Sequence, residues 1–128
     1  MDLVPDGFVV MNGTEEYALF AIMMGGDGLV SGGANAFPEL FTSLISAHRA
    51  NDYSAATSAQ RRILEFKDVV KEAPISAYYE ILRERGIDCG APRPPFLPLA
   101  KEARGRVMKD LSDLGLPSEK DKERGFIP

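Results

Sequence analysis

Two adjacent carboxylates, Glu15 and Glu16, follow a Gly13-Thr14 turn, and a glycine-rich stretch, Gly25-Gly26-Asp27-Gly28, comes soon after. Paired carboxylates in that place either contact a ligand or sit in the first turn of a helix, where the helix dipole favours negative charge. The glycine-rich stretch invites comparison with a phosphate cradle, but it precedes a strand instead of following one. Its spacing also departs from G-x-G-x-x-G, so it reads as a structural turn. His48 is the one histidine and has no cysteine or second histidine spaced to join it, so no metal site is expected. Cys89 lies in a connection rich in Gly and Asp without a basic neighbour to stabilise a thiolate, and it is not expected to be a reactive thiol.

These residues need elements to position them. Gly7-Phe8-Val9-Val10-Met11 is a nearly continuous apolar run that suits a strand buried on both faces. Asn12-Gly13 punctuates a turn, Thr14 is placed to cap a helix, and Leu19, Ile22 and Met23 recur at helical spacing before Gly25-Gly26 stops it. Leu29-Val30-Ser31 is a second short strand. Strand, helix, strand over so short a distance is a βαβ unit with parallel pairing.

After Asn35 the chain reads as helix. Pro38 suits a first helical position, and Leu40, Phe41, Leu44, Ile45 and His48 form one face. Ala56, Ala59, Ile63, Phe66 and Val70 alternate steps of three and four, a packing seam on a longer helix that Pro74 is expected to end. Ser76 is predicted to cap the next helix, with Ile75, Tyr78, Tyr79 and Leu82 aligned and Gly86 as its stop. Arg93-Pro94-Pro95-Phe96-Leu97-Pro98-Leu99 must run extended, and a last helix follows with Ala103, Val107, Leu111 and Leu114 on one side. From Pro117 onward the chain is mostly charge, expected to be a solvated tail.

Composition excludes several classes. Hydrophobic residues at 45% and charged residues at 27% are ordinary globular values. A net charge of −4, with no cluster of Lys and Arg interleaved with aromatics, argues against nucleic acid or an anionic membrane surface as a partner. No apolar run approaches the roughly 20 residues that span a bilayer, and no signal peptide is visible. One cysteine excludes an internal disulfide, and the cytoplasm is the expected location. Two parallel strands with open edges are marginal alone, so either another chain completes the sheet or copies of this chain associate.

Across residues 7–111 the chain resembles the C-terminal half of the dihydrodipicolinate synthase / N-acetylneuraminate lyase family, class I pyruvate-dependent aldolases and lyases. The family's G-[DEY]-[DE]-[DE] turn is similar to Gly13-Thr14-Glu15-Glu16, and its G-[AG]-x-G-x-I-S segment to Gly25-Gly26-Asp27-Gly28-Leu29-Val30-Ser31. A-N-x-x-P-E appears as Ala34-Asn35-Ala36-Phe37-Pro38-Glu39, and R-x-P-L-x-P-L resembles Arg93-Pro94-Pro95-Phe96-Leu97-Pro98-Leu99. The resemblance implies an α/β fold: a partial (β/α)8 barrel, its last two strands, followed by a mostly helical C-terminal region. It would place the last two βα units in residues 1–50, a helical extension in 51–116 and a flexible tail in 117–128. At 128 residues the chain is about half of a typical barrel of roughly 250 residues.

The resemblance also implies substrate-binding roles. The glycine matching Gly13 and the backbone carbonyl of the residue matching Val30 lie beside pyruvate in the family. In the sialic-acid branch, residues matching Glu15, Glu16 and Gly32 contact substrate hydroxyls, and Gly32 has no side chain to do so. The family's Schiff-base lysine lies on strand six, before the segment this chain resembles. Lys67, Lys71, Lys101, Lys109, Lys120 and Lys122 fall on helices or in the tail, where an amine is neither desolvated nor aimed at a carbonyl. No catalytic residue, metal or organic cofactor is therefore expected here. The expected function is the C-terminal part of a pyruvate-dependent lyase, binding pyruvate or another 2-keto acid only in a completed barrel. The alternative is a truncated, non-catalytic relic or an oligomerising interaction subunit.

Overall fold

The computed structural model describes residues 5–116, and the expected tail at 117–128 lies outside the described residues. Two compact units divide the chain between Leu64 and Glu65.

The first unit opens on strand β1 (Met11–Asn12), a 3-10 turn (Glu15–Tyr17) and helix α1 (Ala18–Met23). Strand β2 (Gly28–Leu29) pairs with β1 in parallel, Met11 opposite Gly28 and Asn12 opposite Leu29. Single hydrogen bonds extend the ladder at both ends. Asp27 N donates to Val10 O and Val30 N donates to Asn12 O, each at 2.9 Å. Asp27 also accepts from Val10 N through Oδ2 at 2.8 Å, so its side chain serves as ladder partner where the backbone stops.

The apolar run 7–11 is not the doubly buried strand its composition predicts. Phe8 is 62% and Val9 63% exposed, and only Met11 of the run is in regular ladder. A parallel strand is buried on both faces only where helices cover both sides and strands flank both edges; here β2 is its sole described neighbour. Thr14 is extended and makes no side-chain cap. Asn12 takes over the turn, accepting from Thr14 N at 3.1 Å and donating through Nδ2 to Thr14 O at 2.7 Å, a local Asx-type arrangement. Gly25, at φ +90°, ends α1 as expected.

Helix α2 (Gly33–Ala36) and helix α3 (Pro38–Arg49) follow, with Pro38 at the first position of α3 and Leu40, Phe41 and Leu44 buried. Asn51 adopts φ +58° in the corner, and Asp52 Oδ1 accepts from Ala55 N at 2.9 Å to open helix α4 (Tyr53–Val70). All five predicted seam residues of α4 are buried, Ala56, Ala59 and Ile63 in the first unit and Phe66 and Val70 in the second.

The second unit continues through helix α5 (Pro74–Glu84) and helix α6 (Lys101–Asp113). Pro74 begins α5 instead of ending α4, which has already stopped at Val70. The lost N–H of proline costs nothing at a helix's first position, so the same residue type suits either role. Ser76 is not a cap. It lies inside α5, buried, and its Oγ donates to Leu97 O at 2.5 Å, tying the helix to the extended proline stretch. Phe66 and Tyr78 pack with ring centroids 6.0 Å apart. Gly86 (φ +78°) and Gly115 (φ +65°) terminate α5 and α6 in the left-handed conformation that glycine adopts without steric cost. No described helix is long and apolar enough to cross a membrane.

Candidate functional site

The parallel pairing brings the ends of both strands to one place. Gly13 directly follows β1, Val30 directly follows β2, and the bond from Val30 N to Asn12 O holds the two exits side by side. Active sites of α/β barrels lie at the C-terminal ends of their strands, which is the end these residues occupy. Apart from Gly13 and its two chain neighbours, no atom of the described residues lies within 4 Å of a Cβ added to Gly13, so the space above the strand exit is open among them. Val30 is 65% exposed.

Glu15 and Glu16 share the 3-10 turn but not an environment. Glu15 is buried and Glu16 exposed. The Glu15 carboxylate accepts from Ser31 Oγ and, at 2.8 Å, from Gly33 N, which joins the turn after β1 to the segment after β2. Ser31 Oγ accepts in turn from Ala34 N at 2.9 Å. From α4, Gln60 Nε2 donates to Glu15 O at 3.0 Å while its Oε1 accepts from Leu19 N at 2.8 Å. Ser31 stood inside a recognisable motif, but nothing in its spacing marked its partner. Gln60 carried no sequence signal at all, being one polar residue on a long helix.

The remaining candidates have surroundings of their own. His48 packs edge-on to the Tyr53 ring with centroids 6.3 Å apart, and Cys89 is exposed. No group of three His, Cys, Asp or Glu that could hold a metal ion occurs among the described residues. Lys71 donates to Asp68 at 2.9 Å and Lys109 to Asp113 at 2.5 Å. In each case the hydrogen bond, then the charge of that aspartate, raises the amine's pKa. A Schiff-base lysine needs the opposite shift.

The second unit holds a cleft of about 550 Å³ between the end of α4, the start of α5 and α6, with Val70, Ala77, Ala103 and Val107 among its apolar walls. Its rim mixes Asp68, Lys71, Glu72, Arg106, Asp110 and Asp113 without converging charge of one sign.

Residues 1–114 match the sequence profile of the Dihydrodipicolinate synthetase family. Among curated proteins, the 4-hydroxy-tetrahydrodipicolinate synthase of Methanopyrus kandleri is 27% identical over 119 residues, 90% of this chain and 39% of the relative. The chain thus spans about two fifths of the length of the curated relatives it matches. Among solved structures, a dihydrodipicolinate synthase from Bacillus anthracis superposes with a TM-score of 0.78 at 25% identity, covering 87% of this chain and 38% of that one. The E. coli prophage protein YagE, solved in complex with pyruvate, superposes at 0.74 and 22% identity, covering 86% of this chain and 38% of its own. The likeness fits a partial α/β barrel followed by helices. A profile match over nearly the whole length, with a solved dihydrodipicolinate synthase superposing over 87% of the chain, makes this chain a member of the Dihydrodipicolinate synthetase family.

Proposed function

We propose that this chain supplies the C-terminal pocket wall of a pyruvate-dependent Schiff-base aldolase or lyase. In this reading residues 1–50 contribute the barrel's last two βα units and residues 51–116 its helical extension. The observation that carries it is the side-by-side placement of Gly13 and Val30 at the C-terminal ends of adjacent parallel strands. Gly13 leaves room for the keto acid, and the Val30 carbonyl lines the same space. Of the two carboxylates on the next turn it is the exposed Glu16 that can face the second substrate, while Glu15 is turned inward. Gly32, lacking a side chain, disfavours the sialic-acid branch. Sugar-acid aldolase and lysine-pathway synthase chemistry both suit the remaining residues. The pyruvate bound to the related YagE supports the choice of donor.

The amine that condenses with the keto group comes, in this proposal, from barrel residues outside this segment. Lysines paired with aspartate, such as Lys71 and Lys109, are held protonated and cannot attack a carbonyl. A reducing cytoplasm suits the exposed Cys89. Pyruvate followed by borohydride tests the proposal. Capture is expected once this chain is combined with a barrel half bearing a lysine, and the added mass is expected on that other half. Capture by this chain alone would refute the assignment of the amine.

A second reading is favoured by Phe8, Val9, Met11 and Val30, apolar and exposed along the strand pair. In it the chain is a non-catalytic subunit that associates through these edges, and no mixture yields captured pyruvate.

A further inference from the structure

Glu15 is anchored at both ends. Its backbone carbonyl is held by Gln60 of α4, and its buried carboxylate, 7% exposed, receives the Ser31 hydroxyl and the Gly33 amide from the segment following β2. Val30 immediately precedes that segment. Its own amide is fixed on Asn12, so its carbonyl direction depends on how residues 31–33 leave the strand. A carboxylate that accepts from both a hydroxyl and an amide of those residues sets that direction, because charge-assisted hydrogen bonds are the shorter and stronger kind.

We infer that Glu15 is a positioning residue for the proposed pocket: braced by Gln60, it orients the Val30 carbonyl through Ser31 and Gly33 without itself meeting substrate. This rests on the pocket reading above. It separates the roles of two adjacent carboxylates, since Glu16, on the same turn, is the exposed one.

The test combines amide exchange, read by NMR on the full chain, with pyruvate-dependent borohydride capture on the chain combined with a lysine-bearing barrel half. Glu15→Ala is expected to speed Gly33 exchange by about tenfold or more, the factor a hydrogen bond to a charged acceptor is worth. Glu15→Gln keeps an acceptor oxygen at the same reach and should restore most of the protection. Glu16→Gln should leave Gly33 unchanged. In the combined protein, Glu15→Ala should raise the pyruvate concentration for half-maximal capture, and Glu15→Gln should bring it back.

Unchanged Gly33 exchange in folded Glu15→Ala overturns the inference. If that variant does not fold, Ser31→Ala removes one of the two donors without stranding a buried charge. It should alter Gly33 exchange, and no change there overturns the inference equally. Capture as defective in Glu15→Gln as in Glu15→Ala, with Gly33 protection restored, also overturns it, since charge rather than bracing would then act on the ligand. Absence of capture in the wild-type combination, with Gly33 responding as expected, instead overturns the pocket reading and with it the role given to Val30.

Discussion

Arg104 on α6 donates from Nε to the carboxylate of Glu80 on α5 across 2.9 Å. Arg83 donates to the same carboxylate from Nη1 at 2.5 Å, and Arg104 also reaches Glu84 through Nη2. Burial pushes the Glu80 pKa up, but the hydrogen bonds and charges of Arg83 and Arg104 outweigh it and hold the group below its usual 4.5. A depressed folded-state pKa means the charged form stabilises the fold above the unfolded value, and that contribution is lost as pH falls through the folded one. Glu80→Gln should therefore lose roughly 2 kcal/mol at neutral pH, since both arginines are partly solvated. Urea unfolding at about pH 7 and about pH 3 checks this: the gap between wild type and variant should narrow at the lower pH.

Gly13→Val separates folding from binding. An added side chain meets no atom within 4 Å of its Cβ, so the thermal midpoint of this chain should stay within about 2 °C of wild type. In the combined barrel, the same isopropyl group would occupy the space proposed for the keto acid. Borohydride capture is expected to fall at least about a hundredfold, the effect of displacing reacting atoms by about an ångström. Unimpaired capture would remove Gly13 from the pocket.

Gly26 presents the reverse case. A Cβ there would stand 2.8 Å from Ala21 O and 3.3 Å from Ala21 C, and Gly26 N already donates to that same oxygen at 2.9 Å. Backbone on both sides leaves nothing soft to yield, so Gly26→Ala should cost about 1–3 kcal/mol in denaturant titration. Gly105→Ala is the control. It lies exposed in α6 with nothing near its Cβ, and should gain about 0.5–1 kcal/mol from helix propensity.

Val9→Lys tests the open strand edge. A lysine at this exposed apolar position disfavours edge-to-edge pairing between chains. If copies associate there, sedimentation over a concentration series should show the association constant falling at least about tenfold, the equivalent of about 1.4 kcal/mol. An unchanged constant would place association elsewhere.

Helical spacing was the most legible signal. The seam from Ala56 to Val70, the glycine stops at Gly25 and Gly86, and Pro38 at the head of α3 all follow from local sterics and periodicity, which need no distant partner. Residues whose role depends on distant contacts were not legible. Ser76 looks like a cap until Leu97 supplies its acceptor, and Phe8-Val9 looks like a buried strand although, among the described residues, only β2 pairs with the run. Within the site, motif order pointed to Gly13 and Val30. Periodicity could not say that Glu15 turns inward and Glu16 outward, because two adjacent residues of a 3-10 turn face about a third of a turn apart and only one can meet Ser31.

Gln60 lies 45 residues beyond Glu15 and 41 beyond Leu19, the two groups it joins. During synthesis the ribosome delivers both strands, the 3-10 turn and α1 before this amide exists. Until it emerges, the Glu15 carbonyl and the Leu19 amide lack the Gln60 bonds that join them in the finished turn. The finished geometry of the turn is therefore a late acquisition of the growing polypeptide, set by a residue on a helix that bears none of the proposed chemistry.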